Sequence, residues 1–329
     1  MKFVKDIKNN KFILPLVVLT TAITIPFTNT GYMVRVFNIA LITYLCVLSV
    51  YVLLGMCGQN SFAQAGLWGV GAYITANMTM KLGFSPLAAM LISILGTALF
   101  AFVLGFAFFR LKQYYFTFAS VGLMTILNGL FMNWQEVTGG ALGITNIPGF
   151  SFLNYKFSSE TGYFYLILFI SVIAFVSTKL LYKSSLGRSF MAIRDNEIAA
   201  NCLGVNSLFT KSIAFAISGA LCGMAGSLYA FLSGYLSYQT FTFQQSTMYL
   251  IMIMLGGTIS PTGAVIGTMI ISLLQEWVRP LQNYMQFIYG AGIVILMIVQ
   301  PEGILGGVKA IYEKFTQQKK SISDVTKCM

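Results

Sequence analysis

From Val36 to Phe109 the chain carries a single charged residue, Lys81. Three apolar stretches of roughly twenty residues fill that interval, and this is the length an α-helix needs to cross the hydrocarbon core of a bilayer. The pattern continues along the chain. Apolar segments lie at 12–30, 36–54, 62–80, 86–109, 114–133, 163–182, 212–235, 246–259, 263–278 and 284–300. Charged residues make up 9% of the 329 positions and hydrophobic ones 57%, whereas a soluble domain devotes about a quarter of its residues to charge. Too little charge remains to cover a water-facing surface, so lipid is the solvent for most of the fold. In lipid every backbone N–H and C=O must be paired within the protein, which admits only helices or closed barrels. Barrel strands would show short segments of alternating polarity, and these runs do not. The expected fold is all-α: a polytopic transmembrane bundle of about ten helices, forming a single domain over residues 1–329 with its membrane part at 12–300.

The formal net charge of +11 reads as topology rather than as affinity for nucleic acid, because the basic residues cluster between apolar segments. With both termini cytoplasmic, the inside loops hold Lys2, Lys5, Lys8, Lys11, Arg110, Lys112, Lys179, Lys183, Arg188, Arg194, Lys211 and the tail lysines 309, 314, 319, 320 and 327. Only Arg35, Lys81, Lys156 and Arg279 fall outside. An odd number of crossings would export one lysine-rich terminus, against the positive-inside rule. The basic N-terminus and the apolar run Phe12–Phe27 are not followed by a small-x-small cleavage pattern, so this run is read as a retained first helix. Residues 183–211 become a cytoplasmic loop, and 308–329 a polar cytoplasmic tail.

Catalysis finds little material here. There is no histidine and no phosphate-binding G-x-x-x-x-G-K-[ST] loop, so ATP hydrolysis of the P-loop kind is not expected of this chain. The five cysteines are scattered without a C-x-x-C pair, so no catalytic residue, metal or cofactor site is expected. The central parts of the apolar segments also lack the ionisable residues that proton- or voltage-driven carriers place in the membrane. A driving force from another subunit is the more economical reading, although sodium coupling through carbonyls and hydroxyls stays open.

Two interruptions can line a path. Gly55 to Gly71 mixes glycines with Gln59, Asn60, Ser61 and Gln64, and short polar residues at membrane depth permit a broken helix. A second interruption runs from Gly256 and Gly257 through Pro261 to Gly263. Close helix packing alone would also explain the glycines, and it is the better account of Gly219, Gly223 and Gly226. Between the membrane segments, 188–203 reads as one short amphipathic helix with Phe190, Ile193 and Cys202 on one side. Ser184 or Ser185 would cap its start and Gly204 would stop it. Such an element can dock in a partner's groove, or simply lie solvated.

This loop also carries a resemblance. Gly187-Arg-Ser-Phe-Met-Ala-Ile-Arg-Asp-Asn-Glu-Ile-Ala-Ala200 and Leu203-Gly-Val-Asn206 resemble the cytoplasmic loop of branched-chain amino acid ABC transporter permeases, the LivM-like subunit more than the LivH-like one. Leu53-Leu-Gly-Met-Cys-Gly-Gln59, Gly69-Val-Gly-Ala-Tyr73, Thr138-Gly-Gly140, Leu255-Gly-Gly257 and Pro301-Glu-Gly-Ile-Leu-Gly306 are similar in the same order. Gln64 and Ser260-Pro-Thr-Gly263 depart from the usual pattern and leave urea or short amides open as cargo. The resemblance implies a permease in a bacterial plasma (inner) membrane, paired with a LivH-like second permease. Two cytoplasmic ATPases would bind ATP and Mg, and an extracytoplasmic solute-binding protein would deliver leucine, isoleucine or valine. It also implies that Gly187, Arg188, Ala192, Arg194, Asp195, Asn196, Glu197 and Gly204 form the ATPase-coupling loop. The two interruptions, read from their residues alone, offer Gln59, Asn60, Ser61, Gln64, Gly256 and Gly257 as the translocation path, with close packing as the alternative.

Overall fold

A computed structural model of the protein describes residues 31–110, 113–152, 155–156, 159–258 and 260–278. The expected segments at 12–30 and 284–300 and the tail lie outside the described residues. The described residues are nearly all helical. Helix α1 (Gly31–Val50) continues into a π-helical segment (Tyr51–Met56), and then come α2 (Gln64–Met80), α3 (Pro86–Phe108) and α4 (Gln113–Asn133). A short α5 (Gln135–Thr138) leads to a hairpin of two-residue strands, β1 (Ser151–Phe152) and β2 (Tyr155–Lys156), paired antiparallel. The remaining helices are α6 (Glu160–Lys183), α7 (Ser185–Asp195), α8 (Glu197–Cys202), α9 (Ser207–Ser233), α10 (Phe243–Gly256) and α11 (Pro261–Val278). The hairpin is a small departure from the all-α expectation.

Among the described residues, five helices are long and apolar enough to span a membrane: Gly31–Met56, α3, Tyr114–Asn133, α6 and α9. The pair formed by Tyr238–Gly256 and Pro261–Trp277 qualifies together and is bent by 115° at its break. With 17 residues, α2 is shorter than these spans.

Packing in α3 inverts the soluble rule. Ala89, Ser93, Thr97, Ala101 and Gly105, four residues apart, are buried, while Leu87, Leu91, Leu95, Leu99 and Val103 are exposed. Lipid solvates the large aliphatic side chains as well as a core does, so small residues take the helix contacts. Helix α9 sits at the centre of that contact. A Cβ on Gly71 would lie 2.5 Å from the Gly223 Cα, and one on Gly226 would lie 2.4 Å from the Trp68 carbonyl oxygen. Hydroxyls tie the same crossing together: Ser93 donates to the Gly71 carbonyl at 2.7 Å, and the Thr75 and Ser227 hydroxyls meet at 2.8 Å. Packing is what Gly219, Gly223 and Gly226 do.

Successive long elements from α1 to α9 run in opposite directions, as the contacts at their ends show. At one end, Gly55 lies beside Thr258 and Arg194, and the rings of Phe109 and Phe215 are 6.1 Å apart. At the other end, Arg35 and Asn38 meet Glu160, Tyr32 meets Glu276, Asn77 donates to the Val137 carbonyl, and Ile144 bridges Leu236. The 183–207 connection and the α10–α11 turn therefore share one end of the bundle, the loop end. The 80–86 and 133–160 connections share the far end.

Candidate functional site at the loop end

Ser184 turns the chain out of α6. Its hydroxyl donates to the Leu181 carbonyl at 2.7 Å and accepts the Gly187 N–H at 3.1 Å, capping α7. Gly187 lies so close to the end of α6 that a Cβ there would sit 2.1 Å from the Leu181 carbonyl oxygen. Helix α7 then buries Phe190 and Ile193. Arg188 folds back to the Lys183 carbonyl, and Ala192 is half-buried.

The fold corrects the single helix expected over 188–203. Asn196 is extended (φ −159°, ψ 107°) and separates α7 from α8. Its side chain accepts the Ala199 N–H at 3.0 Å, the competition with helix continuation that makes Asn a cap residue. Cys202 is exposed rather than aligned with Phe190 and Ile193, and Ala200 is buried instead. Gly204 stops α8 as expected: with φ at +86°, its N–H reaches the Asn201 carbonyl and the Val205 N–H reaches that of Ala200, both at 3.0 Å.

Three contacts tie this loop to the membrane helices. The α7–α6 turn is the first. Glu197 pairs with Lys211 at 2.6 Å, and the Lys211 side chain is only 4% exposed. The Arg194 guanidinium donates to the Gly55 carbonyl, and its stem packs on Gly58. Asp195 and Asn196 face solvent, as do Ile198 and Leu203, which are 77% and 84% exposed. The Glu197–Lys211 pairing escapes sequence reading because Gly204 reverses the chain between the two residues, and Lys211 looks like one more basic topology marker.

Arg194 leads to the other candidate group. After the π segment, Gly58 turns with φ at +70°, and the chain is non-helical until α2 begins at Gln64. Neighbouring hydroxyls satisfy the freed backbone: Thr117 donates to the Asn60 carbonyl at 3.3 Å, Ser120 accepts the Phe62 N–H at 3.0 Å, and Ser246 accepts the Ala65 N–H at 3.0 Å. Asn60 is exposed, whereas Gln59, Ser61 and Gln64 are buried. The Gln59 Oε1 and both amide atoms of Gln64 find no partner among the described residues. Gly256 and Gly257 are engaged elsewhere. A Cβ on Gly256 would lie 1.9 Å from the Gly263 carbonyl oxygen, and Gly257 turns with φ at +105° between α10 and α11. Their turn still reaches the break, because a Cβ on Gly55 would meet the Thr258 carbonyl oxygen at 2.7 Å.

The sequence signature of a family described as "Branched-chain amino acid transport system / permease component" matches residues 32–299. The chain belongs to this family. It is 29% identical to the high-affinity branched-chain amino acid transport system permease protein LivM of Escherichia coli and 28% identical to that of Salmonella typhimurium. Each alignment covers 92% of this chain and 80% of the relative. It is 23% identical to the probable branched-chain amino acid transport permease protein LivH of Methanocaldococcus jannaschii, over 75% of this chain and 82% of the relative. No solved structure matches it. The apolar spans and these relatives make the chain a multi-pass membrane permease of the ABC transporter family. In such a permease, Arg194 ties the candidate coupling loop to Gly55 and Gly58, which adjoin the candidate path residue Gln59 in the chain.

Proposed function

We propose that this permease is one of two pore-forming subunits of an ATP-driven importer for leucine, isoleucine and valine in a bacterial plasma (inner) membrane. Its similarity to LivM over 92% of its length carries the reading, and the likeness to LivH supports a sibling permease as its partner. Two cytoplasmic ATPases hold ATP and Mg, and an extracytoplasmic binding protein delivers the solute. This chain itself contributes no catalytic group, metal or cofactor site. The alternating directions of α1 to α9 support a single-domain bundle, and a count of ten takes α10 and α11, bent by 115° at their break, as one crossing each. The loop end is then cytoplasmic, as are both termini, provided that 12–30 and 284–300 each cross once.

Residues 183–211 act as the coupling element. Because α7 and α8 are anchored to α6, α9 and Gly55, a push on their surface moves the membrane helices instead of dissipating in the loop. Gln59 and Gln64 supply uncharged polar groups to the path. A buried amide without a partner costs about 1–3 kcal/mol, and a solute's ammonium and carboxylate offset that cost during passage. Uncharged amides at Gln59 and Gln64 keep the path weakly binding and leave selection to the binding protein.

Deletion of this chain from its host tests the reading. Uptake of radiolabelled leucine, isoleucine and valine should fall together and return with the plasmid-borne chain. Loss of urea or short-amide uptake, with branched-chain uptake intact, would replace the substrate.

A further inference from the structure

At the end of the first described span, backbone N–H donors run out. The Cys57 N–H serves the Leu53 and Leu54 carbonyls, and the Gly58 and Gln59 N–H groups return to Leu54 and Leu53 at 3.2 and 2.9 Å. The Gly55 carbonyl receives the Arg194 guanidinium instead, from 139 residues further along the chain. A helix C-terminus leaves such carbonyls unpaired and favours a cation beside them. Here the cation stands on the loop that carries the coupling element. The helix it caps ends in six π-helical residues, Tyr51–Met56. Such segments are rare and hold their extra residue at a cost in geometry. Converting the segment to α-helix would rotate the Gly58–Gln59 turn by about 100° relative to α1 and so shift the non-helical run that leads to Gln64.

We propose that Arg194 is a positioning residue that converts displacement of α7 into a π-to-α change of Tyr51–Met56, thereby reorienting Gln59 and Gln64 in the path. This rests on the coupling reading of 183–211. Three features meet at this point: the guanidinium on the Gly55 carbonyl, the Arg194 stem 3.0 Å from where a Gly58 Cβ would stand, and Thr258 packed on Gly55. When the ATPases draw α7 aside, the Gly55 carbonyl moves with it and the π turn closes. The two glutamines then exchange a closed environment for the path.

The test uses the complete transporter, both permeases with ATPases and binding protein, in proteoliposomes. R194Q should still hydrolyse ATP but consume about tenfold more per leucine imported, the effect of losing one charge-assisted hydrogen bond. R110Q is the charge-loss control; Arg110 lies over the Phe106 ring, and this variant should keep the normal ratio. In a background with the other cysteines replaced, Q59C labelling by a membrane-impermeant maleimide should differ between nucleotide-free and ATP-vanadate states. R194Q should abolish that difference. A variant lacking Leu54, which removes the extra residue of the π segment, should label at one rate in both states, and it decides the matter if R194Q fails to assemble. A normal ATP-to-leucine ratio in R194Q, or nucleotide-dependent labelling in either variant, overturns the proposal and leaves the importer reading intact. Leucine uptake by the unmodified permeases without ATPases would instead remove the importer reading itself.

Discussion

The Glu197–Lys211 pair should respond unequally to loss of its two members. Lys211 is buried, with 4% of its side chain exposed, whereas the Glu197 side chain is 42% exposed, and the two meet at 2.6 Å. Glu197→Gln strands an ammonium in a dry site. Removing one member of a fully buried pair costs about 3–5 kcal/mol, and the open side of Glu197 reduces this to about 2 kcal/mol, near the value of one hydrogen bond to a charge. Lys211→Met removes the ammonium, keeps the apolar stem packed and lets Glu197 turn to water, so its cost stays below about 1 kcal/mol. Hydrogen exchange by mass spectrometry on the nanodisc-embedded permease reads the difference. Amides of α8 should exchange about thirtyfold faster in Glu197→Gln, from about 1.4 kcal/mol per factor of ten, and less than about fivefold faster in Lys211→Met by the same conversion. The double variant should resemble Lys211→Met. Equal loosening in the two single variants, or more in Lys211→Met, would refute the claim that burial of the lysine sets the cost.

Other substitutions probe the remaining joints. Gly187→Ala drives a Cβ against the Leu181 carbonyl, costs about 1–3 kcal/mol of overpacking and should cut ATP-coupled uptake while membrane insertion, read by fractionation, stays normal. Gly226→Val forces α9 from α2 and should collapse the yield of monodisperse protein on size-exclusion chromatography. Leu95→Val on the exposed face of α3 should leave that yield unchanged. Asn196→Ala removes the α8 cap at a cost of about 1 kcal/mol, visible as about fivefold faster exchange confined to 197–203.

Lipid explains both what the sequence disclosed and what it withheld. Spans such as 86–109, found as Pro86–Phe108, stand out because charge is excluded from them. The turn of α3 does not, since its Leu91–Leu95–Leu99 stripe and its Ser93–Thr97–Ala101 stripe are told apart by size rather than by polarity. Gly204 was legible as a stop because a left-handed turn calls for glycine. The break at Asn196 was not, because Arg194, Asp195 and Glu197 around it are all compatible with helix. Composition does not separate the π segment Tyr51–Met56 from ordinary helix, and its tie to Arg194 spans 139 residues. Likewise, Gln59, Ser61 and Gln64 were legible as polar residues in a glycine-rich break, while their burial and the unpaired amide of Gln64 emerge only from the fold.

Uptake of radiolabelled leucine into proteoliposomes that contain the two permeases, with binding protein supplied at the outer face, tests the central claim most directly. Accumulation should appear only when the ATPases and internal Mg-ATP are both present. Accumulation driven by a sodium or proton gradient in their absence would contradict it.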